Sequence, residues 1–328
     1  MAKVFITGGA GFVGSRVAKL FIDRGDQVYI FDTFKQYLIP DVNTSPPNLL
    51  LRLRDFIDKV EIVQGDTLNK DHLRRVLNRI KPDIIIHMAA LPLAFMAIEH
   101  TEDAFQSILG STVNFLEIIR DFDRPCRFVY TSSSMSYGDC VTDPITEDSP
   151  QSPKEIYGSF KLAGEVVCRG YMRCYKLDVA IVRPSAVYGP YDANQRVIQK
   201  FIARALSGEP FTLEDLPVIE KKMKEIVARD AKITREVWSR NDAKAWFLAK
   251  GETFNVTRGE ARSLKDVLDV IQKEIPTLNV EYGPVPSYLP KRGTLDVTKA
   301  KTLLGYDPQY SLERGVKLYI EHLRNNPI

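Results

Sequence analysis

Short apolar runs alternate with helical periodicity through the first half of the chain. KVFITG and QVYIFD are rich in β-branched and aromatic residues, and the pattern between them, over 12–24, predicts a helix. VEIVQGD predicts a third strand. Asn69 then stands as a cap before Leu73, Val76, Leu77 and Ile80, which share one helix face at i, i+3, i+4 and i+7. DIIIHMAA, CRFVYTSS and DVAIVRP predict three more strands, with helices expected near 102–121 and 155–175. Near-continuous apolar strands, each followed by a helix, predict a parallel sheet covered on both faces.

Beyond Pro184 the texture changes. Prolines cluster at 276–290 and short elements replace the alternation, which predicts a smaller second lobe. ETFNVT and the helical pattern SLKDVLDVIQKEI are expected to pack back near the main sheet. Leu216, Ile219, Met223 and Ile226 form one apolar stripe, with Glu220, Lys221, Lys222 and Lys224 outward, so an amphipathic helix is expected over 212–230.

Composition narrows the classes without choosing among them. A chain of 328 residues can bury a large core, as one domain or two lobes. Its formal net charge of +3 arises from interspersed charges, so no nucleic-acid partner is expected. Cys126, Cys140, Cys168 and Cys174 show no CxxC pair and no metal-type spacing with the histidines, as for free thiols in a reducing cytoplasm. The longest apolar run, IIIHMAALPLAFMAI, is broken by a histidine and a proline and is too short for a bilayer. MAKVFITGGAG enters a strand directly, so no secretory leader and no membrane partner are expected.

The first candidate chemistry lies in FITGGAGFVGS. Gly8, Gly11 and Gly14 follow a strand and open a helix, with Phe12 and Val13 between them. Such glycines let the backbone approach a pyrophosphate, which the unpaired N–H groups of the helix start then hold. Asp32 closes the second strand about 20 residues on, ahead of Thr33, where a carboxylate accepts from ribose hydroxyls. That charge repels a 2′-phosphate, so NAD is expected over NADP, with Lys35 the nearby residue that argues otherwise. Asp66 and Thr67 end the third strand, and Ala89, Ala90 and Leu91 follow the fourth. Both groups sit where open parallel sheets bind ligands. Asp66 reads equally well as a helix-entry residue.

EIYGSFKLAGE puts Tyr157 and Lys161 one helical turn apart. A free phenol, with a pKa of about 10, is too weak an acid to serve as a base at neutral pH. An adjacent ammonium and an oxidised nicotinamide together lower that value; about 3 units corresponds to about 4 kcal/mol. FVYTSSSMSYG adds hydroxyls at Thr131, Ser132, Ser133, Ser134 and Ser136, expected to face the same crevice. No His/Asp arrangement activates them, so Ser133 reads as a hydrogen-bond donor to a substrate oxygen rather than a nucleophile.

Together, TGGAGFVG, Asp32, GDTLNKD, HMAA, TSSSMSYG, YGSFK and RPSAVYGP resemble the extended short-chain dehydrogenase/reductase family, nearest its NAD-dependent nucleotide-sugar epimerases and dehydratases. The resemblance implies an α/β fold: a Rossmann-type doubly wound parallel sheet with a smaller C-terminal α/β substrate lobe. Residues 1–183 would bind NAD, with 231–257 packing back on them, and 184–328 would mainly hold substrate. It implies Tyr157 as acid/base, Lys161 as the residue that orients the ribose and tunes Tyr157, and Ser133 as third member. Pro184 joins the cofactor contacts; Ser133, Ser134, Ala186 and Arg235 are the implied substrate contacts. A homodimer through the helices near 102–121 and 155–175 is also implied.

Departures from the family pattern carry information. Where dehydratases have an Asp-Glu pair and decarboxylases a glutamate, this chain has Ser134 and Met135, and neither can protonate a leaving hydroxyl. Ser107 and Ala186 replace usual asparagines. Residues 212–250 lack the usual Gly-Asp-Gly turn and resemble a segment from the editing region of threonyl-tRNA synthetases, without its histidine and cysteine site. The expected function is NAD-dependent C4 epimerisation of a nucleotide sugar through a keto intermediate. An NAD(P)-dependent sugar-nucleotide or small-ketone reductase, and a non-catalytic dinucleotide-binding protein, stay open at this stage.

Overall fold

The computed structural model describes residues 1–34, 51–192, 196–208, 211–212, 227–229, 231–232, 251–278, 280–281 and 293–325. The first six strands are β1 (Lys3–Thr7), β2 (Gln27–Asp32), β3 (Val60–Gln64), β4 (Ile84–His87), β5 (Arg127–Thr131) and β6 (Asp178–Pro184). Between them run α1 (Phe12–Asp23), α2 (Lys70–Ile80), α3 (Ala94–Glu99), α4 (Thr101–Ala104), a π-helical turn (Phe105–Gly110), α5 (Ser111–Arg120) and α6 (Ile156–Tyr175). Short strands follow: β7 (Val187–Tyr188), β8 (Phe211–Thr212), β9 (Val227–Arg229), β10 (Ala231–Lys232), β11 (Thr253–Val256), β12 (Ala261–Ser263) and β13 (Val280–Glu281). The later helices are α7 (Val197–Ser207), α8 (Leu264–Glu274), α9 (Thr298–Leu304) and α10 (Leu312–Asn325).

The main sheet has the order β11-β6-β5-β4-β1-β2-β3 and is parallel throughout. The reason lies in the strands themselves, which feed both faces. Val4 and Ile6 pack with Val17, Ala18 and Phe21 of α1, while Phe5 packs with Leu73 and Leu77 of α2 and Phe115 of α5. The expected face of α2 is buried as spaced, and the Asn69 side chain accepts from His72 N. β3, at the edge, keeps Glu61, Ile62 and Gln64 exposed, so the burial expected of every strand fails where no neighbour covers it. Strand order reverses between β1 and β4, which opens a crevice outside their carboxyl ends.

A second core gathers Ile198, Phe201 and Ile202 of α7, Val267, Leu268 and Ile271 of α8, and Val316, Tyr319 and Ile320 of α10. Thr253–Val256 does return to the main sheet beside β6, but the helix after it joins this second core instead of the sheet. Its apolar stripe packs against α7 and α10. Most of the helix expected over 212–230 lies outside the described residues. At its ends, Thr212 and Val227–Arg229 are strand, the latter antiparallel to Ala261–Ser263. Among the described residues, no helix is long and apolar enough to cross a membrane.

Candidate active site

The glycine turn joins β1 to α1. Gly11 is the N-cap of α1, and no side chain caps that helix start. The first-turn N–H groups therefore remain for an anion. Gly14 packs so closely on the turn that a Cβ there would stand 2.1 Å from Gly8 O. Asp32 ties the turn to β2: its Oδ2 accepts from Ala10 N at 3.0 Å and its Oδ1 from Phe34 N at 2.9 Å. Burial raises the Asp32 pKa above its ordinary value, against its backbone hydrogen bonds and the nearby Arg52. An uncapped helix start, a turn with no room for side chains and a carboxylate at the β2 end fit a dinucleotide with free ribose hydroxyls.

Phe12 is buried, Val13 and Thr33 are half-buried, and Ala89, Ala90 and Leu91 line the start of the loop after β4. The Asp66 carboxylate accepts from Leu68 N at 2.9 Å, the helix-entry geometry that the sequence left open, and Thr67 is buried beside it. Arg52, from outside the recognised motifs, is almost fully buried here. Its Nη1 donates to Ala10 O, and its Nε and Nη2 to Tyr191 O.

The other wall comes from β5 and α6. Glu155 is the N-cap of α6 and accepts from Tyr157 N and Gly158 N, both at 2.8 Å. Gly158 lets this helix start meet the turn after β5, since a Cβ there would stand 2.6 Å from Met135 O. That contact brings Tyr157 close to Ser133, whose side chain favours the phenolate. Lys161 Nζ donates to Thr131 O at 2.8 Å and lies 5.6 Å from the Tyr157 ring centroid.

The hydroxyl run after β5 divides. Only Ser133 meets Tyr157; Ser132 donates to Glu165 at 2.5 Å and Ser136 to Ser133 O at 2.8 Å, both away from the crevice. Ser134 is buried in the turn. Glu165 in turn holds Arg183 through two bonds of 2.8 and 2.6 Å, and Arg183 reaches the Tyr137 hydroxyl at 2.7 Å. This buried network fixes the end of β5 against α6 and β6. Pro184 is half-buried at the end of β6 and Ala186 is exposed, while Arg235 lies outside the described residues.

In the protein without a dinucleotide, burial pushes the Tyr157 pKa up to about 12, with Arg196 and the Ser133 side chain pulling down and Glu155 pulling up. Burial pushes Lys161 itself down to about 8. Arg196 stands at the N-cap of α7, 3.0 Å from the buried Asp192 carboxylate. Sequence reasoning missed Glu155, Arg196 and Arg52. Glutamate is not a preferred N-cap type, and the two arginines reach the site only through long-range packing.

Residues 5–319 match the family described as GDP-mannose 4,6 dehydratase. A putative UDP-glucose 4-epimerase of Methanocaldococcus jannaschii is 29% identical, covering 98% of this chain and 99% of its own length. A dTDP-glucose 4,6-dehydratase of Xanthomonas campestris is 28% identical over 99% of this chain and 94% of its own. Among solved structures, the UDP-glucuronic acid 4-epimerase of Bacillus cereus, in complex with UDP-glucuronic acid and NAD, superposes with a TM-score of 0.82. It is 22% identical and covers 98% of this chain and 99% of its own, a likeness of fold.

Proposed function

The chain belongs to the GDP-mannose 4,6 dehydratase family, and on that premise we propose that it is an NAD-dependent C4 epimerase of a nucleotide-activated sugar. The observation that carries this reading is the placement of Tyr157 beside Ser133 at the crevice outside the strand ends, with no acid at Ser134 or Met135 to expel a hydroxyl. That absence favours epimerisation over the dehydration for which the family is named. The M. jannaschii relative, a putative UDP-glucose 4-epimerase, supports the same choice.

Gly8, Gly11, Phe12, Val13 and Gly14 would hold the pyrophosphate, Asp32 and Thr33 the ribose, and Asp66, Thr67, Ala89, Ala90, Leu91 and Pro184 the rest of the cofactor. Bound there, NAD would supply the hydride acceptor and donor for the sugar carbon. Tyr157 takes the proton of the 4-hydroxyl and later gives it back, with Ser133 holding that oxygen. Lys161 keeps the ribose end of the site cationic. Residues 184–328 mainly supply the substrate lobe, with Ser134, Ala186 and Arg235 toward the nucleotide sugar. A homodimer belongs to the reading, supported by Phe105 and Val166, which are exposed on the two long helical stretches; so does a cytoplasmic location.

Incubation with NAD and a panel of nucleotide sugars, followed by proton NMR, tests the proposal. A new C4 epimer with no net absorbance change at ~340 nm, the reduced-nicotinamide band, is expected for hydride that is returned. Net reduction of the cofactor points to the reductase reading, and NAD binding without any nucleotide-sugar binding to a non-catalytic protein.

A further inference from the structure

His87 closes β4 with both ring nitrogens bonded and takes no part in the chemistry above. Its Nδ1 lies 2.9 Å from Thr7 Oγ1 and its Nε2 lies 3.0 Å from Ser111 Oγ. The neighbours fix which nitrogen carries the proton. Thr7 Oγ1 accepts from Met88 N at 3.1 Å and from Ala89 N at 3.0 Å, which fills both of its lone pairs. Its one hydrogen therefore goes to His87 Nδ1. Nε2 must then hold the ring proton and donate it to Ser111, whose own hydroxyl donates to Ser107 O at 2.5 Å. A protonated ring would set Nδ1–H against the Thr7 hydroxyl hydrogen. Burial, aided by the Lys161 charge, agrees with this: it pushes the His87 pKa down to about 3.

The chain of bonds spans the cofactor crevice. Three of the four N–H groups of residues 88–91 end on side-chain hydroxyls, Met88 and Ala89 on Thr7 and Leu91 on Ser107 at 3.2 Å. His87 bonds the Thr7 hydroxyl at the end of β1 directly and reaches the Ser107 residue of the π-helical turn through Ser111, which donates to the Ser107 carbonyl. Thr7 precedes the glycine turn, and the position a Gly8 Cβ would take is 3.1 Å from Ala89 N. The two backbone walls of the crevice thus touch, and the histidine braces both against Ser111 of α5. Phe115 and Phe128 pack on the imidazole, with ring centroids 4.8 and 5.8 Å away.

We propose that His87, as the neutral Nε2–H tautomer, is a positioning residue that holds residues 88–91 and the glycine turn in register for the dinucleotide. The positioning role rests on the NAD reading above; the tautomer does not. Nitrogen-15 NMR of the histidine-labelled full chain should show the His87 Nδ1 as an unprotonated acceptor and Nε2 as protonated, unchanged between about pH 5 and 8, the range where an ordinary histidine titrates. A Nδ1–H tautomer, or titration in that range, overturns the proposal. His87→Phe keeps the ring packing and removes both bonds; its NAD dissociation constant should rise about tenfold, the scale of one lost buried hydrogen bond. Its KM for the nucleotide sugar at saturating NAD should stay unchanged, a split that general loosening would not give. If His87→Phe does not fold, Ser111→Ala replaces it, with a smaller rise in the same constant expected and no rise overturning the role. Wild-type protein that takes up no NAD strikes down the functional reading and the positioning role together. Uptake matched by the variant removes only the positioning role.

Discussion

The Lys161 ammonium stands 5.6 Å from the centroid of the Tyr157 ring and spends a hydrogen bond on the Thr131 carbonyl, 2.8 Å away. Among the described residues no carboxylate pairs with this buried cation, and burial pushes its pKa down to about 8 from the ordinary 10.5. Between those values the unfolded chain binds more protons than the folded one, so the contribution of Lys161 to stability rises with pH. Below pH 8 its burial costs about 3 kcal/mol. Lys161→Met should therefore be more stable than wild type near pH 7 by up to that amount, and the gap should close as pH climbs toward 10.5. Urea unfolding of both proteins across this window checks the slope.

Tyr157→Phe removes the proton acceptor and leaves the glycine turn untouched. Turnover should fall by about 10²–10⁴-fold, the usual weight of an acid/base group, with NAD uptake unchanged by calorimetry. Retained turnover removes Tyr157 from the chemistry.

Gly14→Ala tests the turn. Its Cβ would sit 2.1 Å from Gly8 O, backbone that cannot yield without moving the turn. A loss of about 1–3 kcal/mol in stability is expected, along with NAD binding, while unfolding stays cooperative.

The Glu165–Arg183 pair has both side chains fully buried. Burial alone would raise the Glu165 pKa, but the bonds and charge of Arg183 outweigh it and hold the carboxyl below its ordinary value. Glu165→Gln leaves a buried guanidinium without its counter-charge and should cost about 3–5 kcal/mol in chemical denaturation. Arg169→Ala, at the half-exposed end of the same network, should cost less than about 1 kcal/mol.

The local sequence carried the parallel sheet, because strands such as DIIIHMAA are apolar on both faces and α2 shows its cap and its stripe plainly. Motif spacing also brought Tyr157 and Ser133 into one site and the glycines to the start of α1. What stayed hidden depends on contacts far apart in the chain. The direction of the Ser132 and Ser136 hydroxyls follows from Glu165 and the turn after β5, which no periodicity encodes. The high pKa of Tyr157 follows from burial, which the sequence did not reveal. His87 left a visible trace, a polar residue closing the run III, but its partners Thr7 and Ser111 lie 80 and 24 residues away.

The central claim is that the Tyr157 phenol becomes a base only when a positive nicotinamide joins it. Titration of tyrosine-labelled protein by carbon-13 NMR, with and without NAD⁺, tests this directly. The account predicts a Tyr157 pKa near 12 without the dinucleotide. With it, the pKa should be lower by about 5 units, the shift that takes a phenol from about 12 to a base at neutral pH. An unchanged pKa in the NAD⁺ complex would contradict the account.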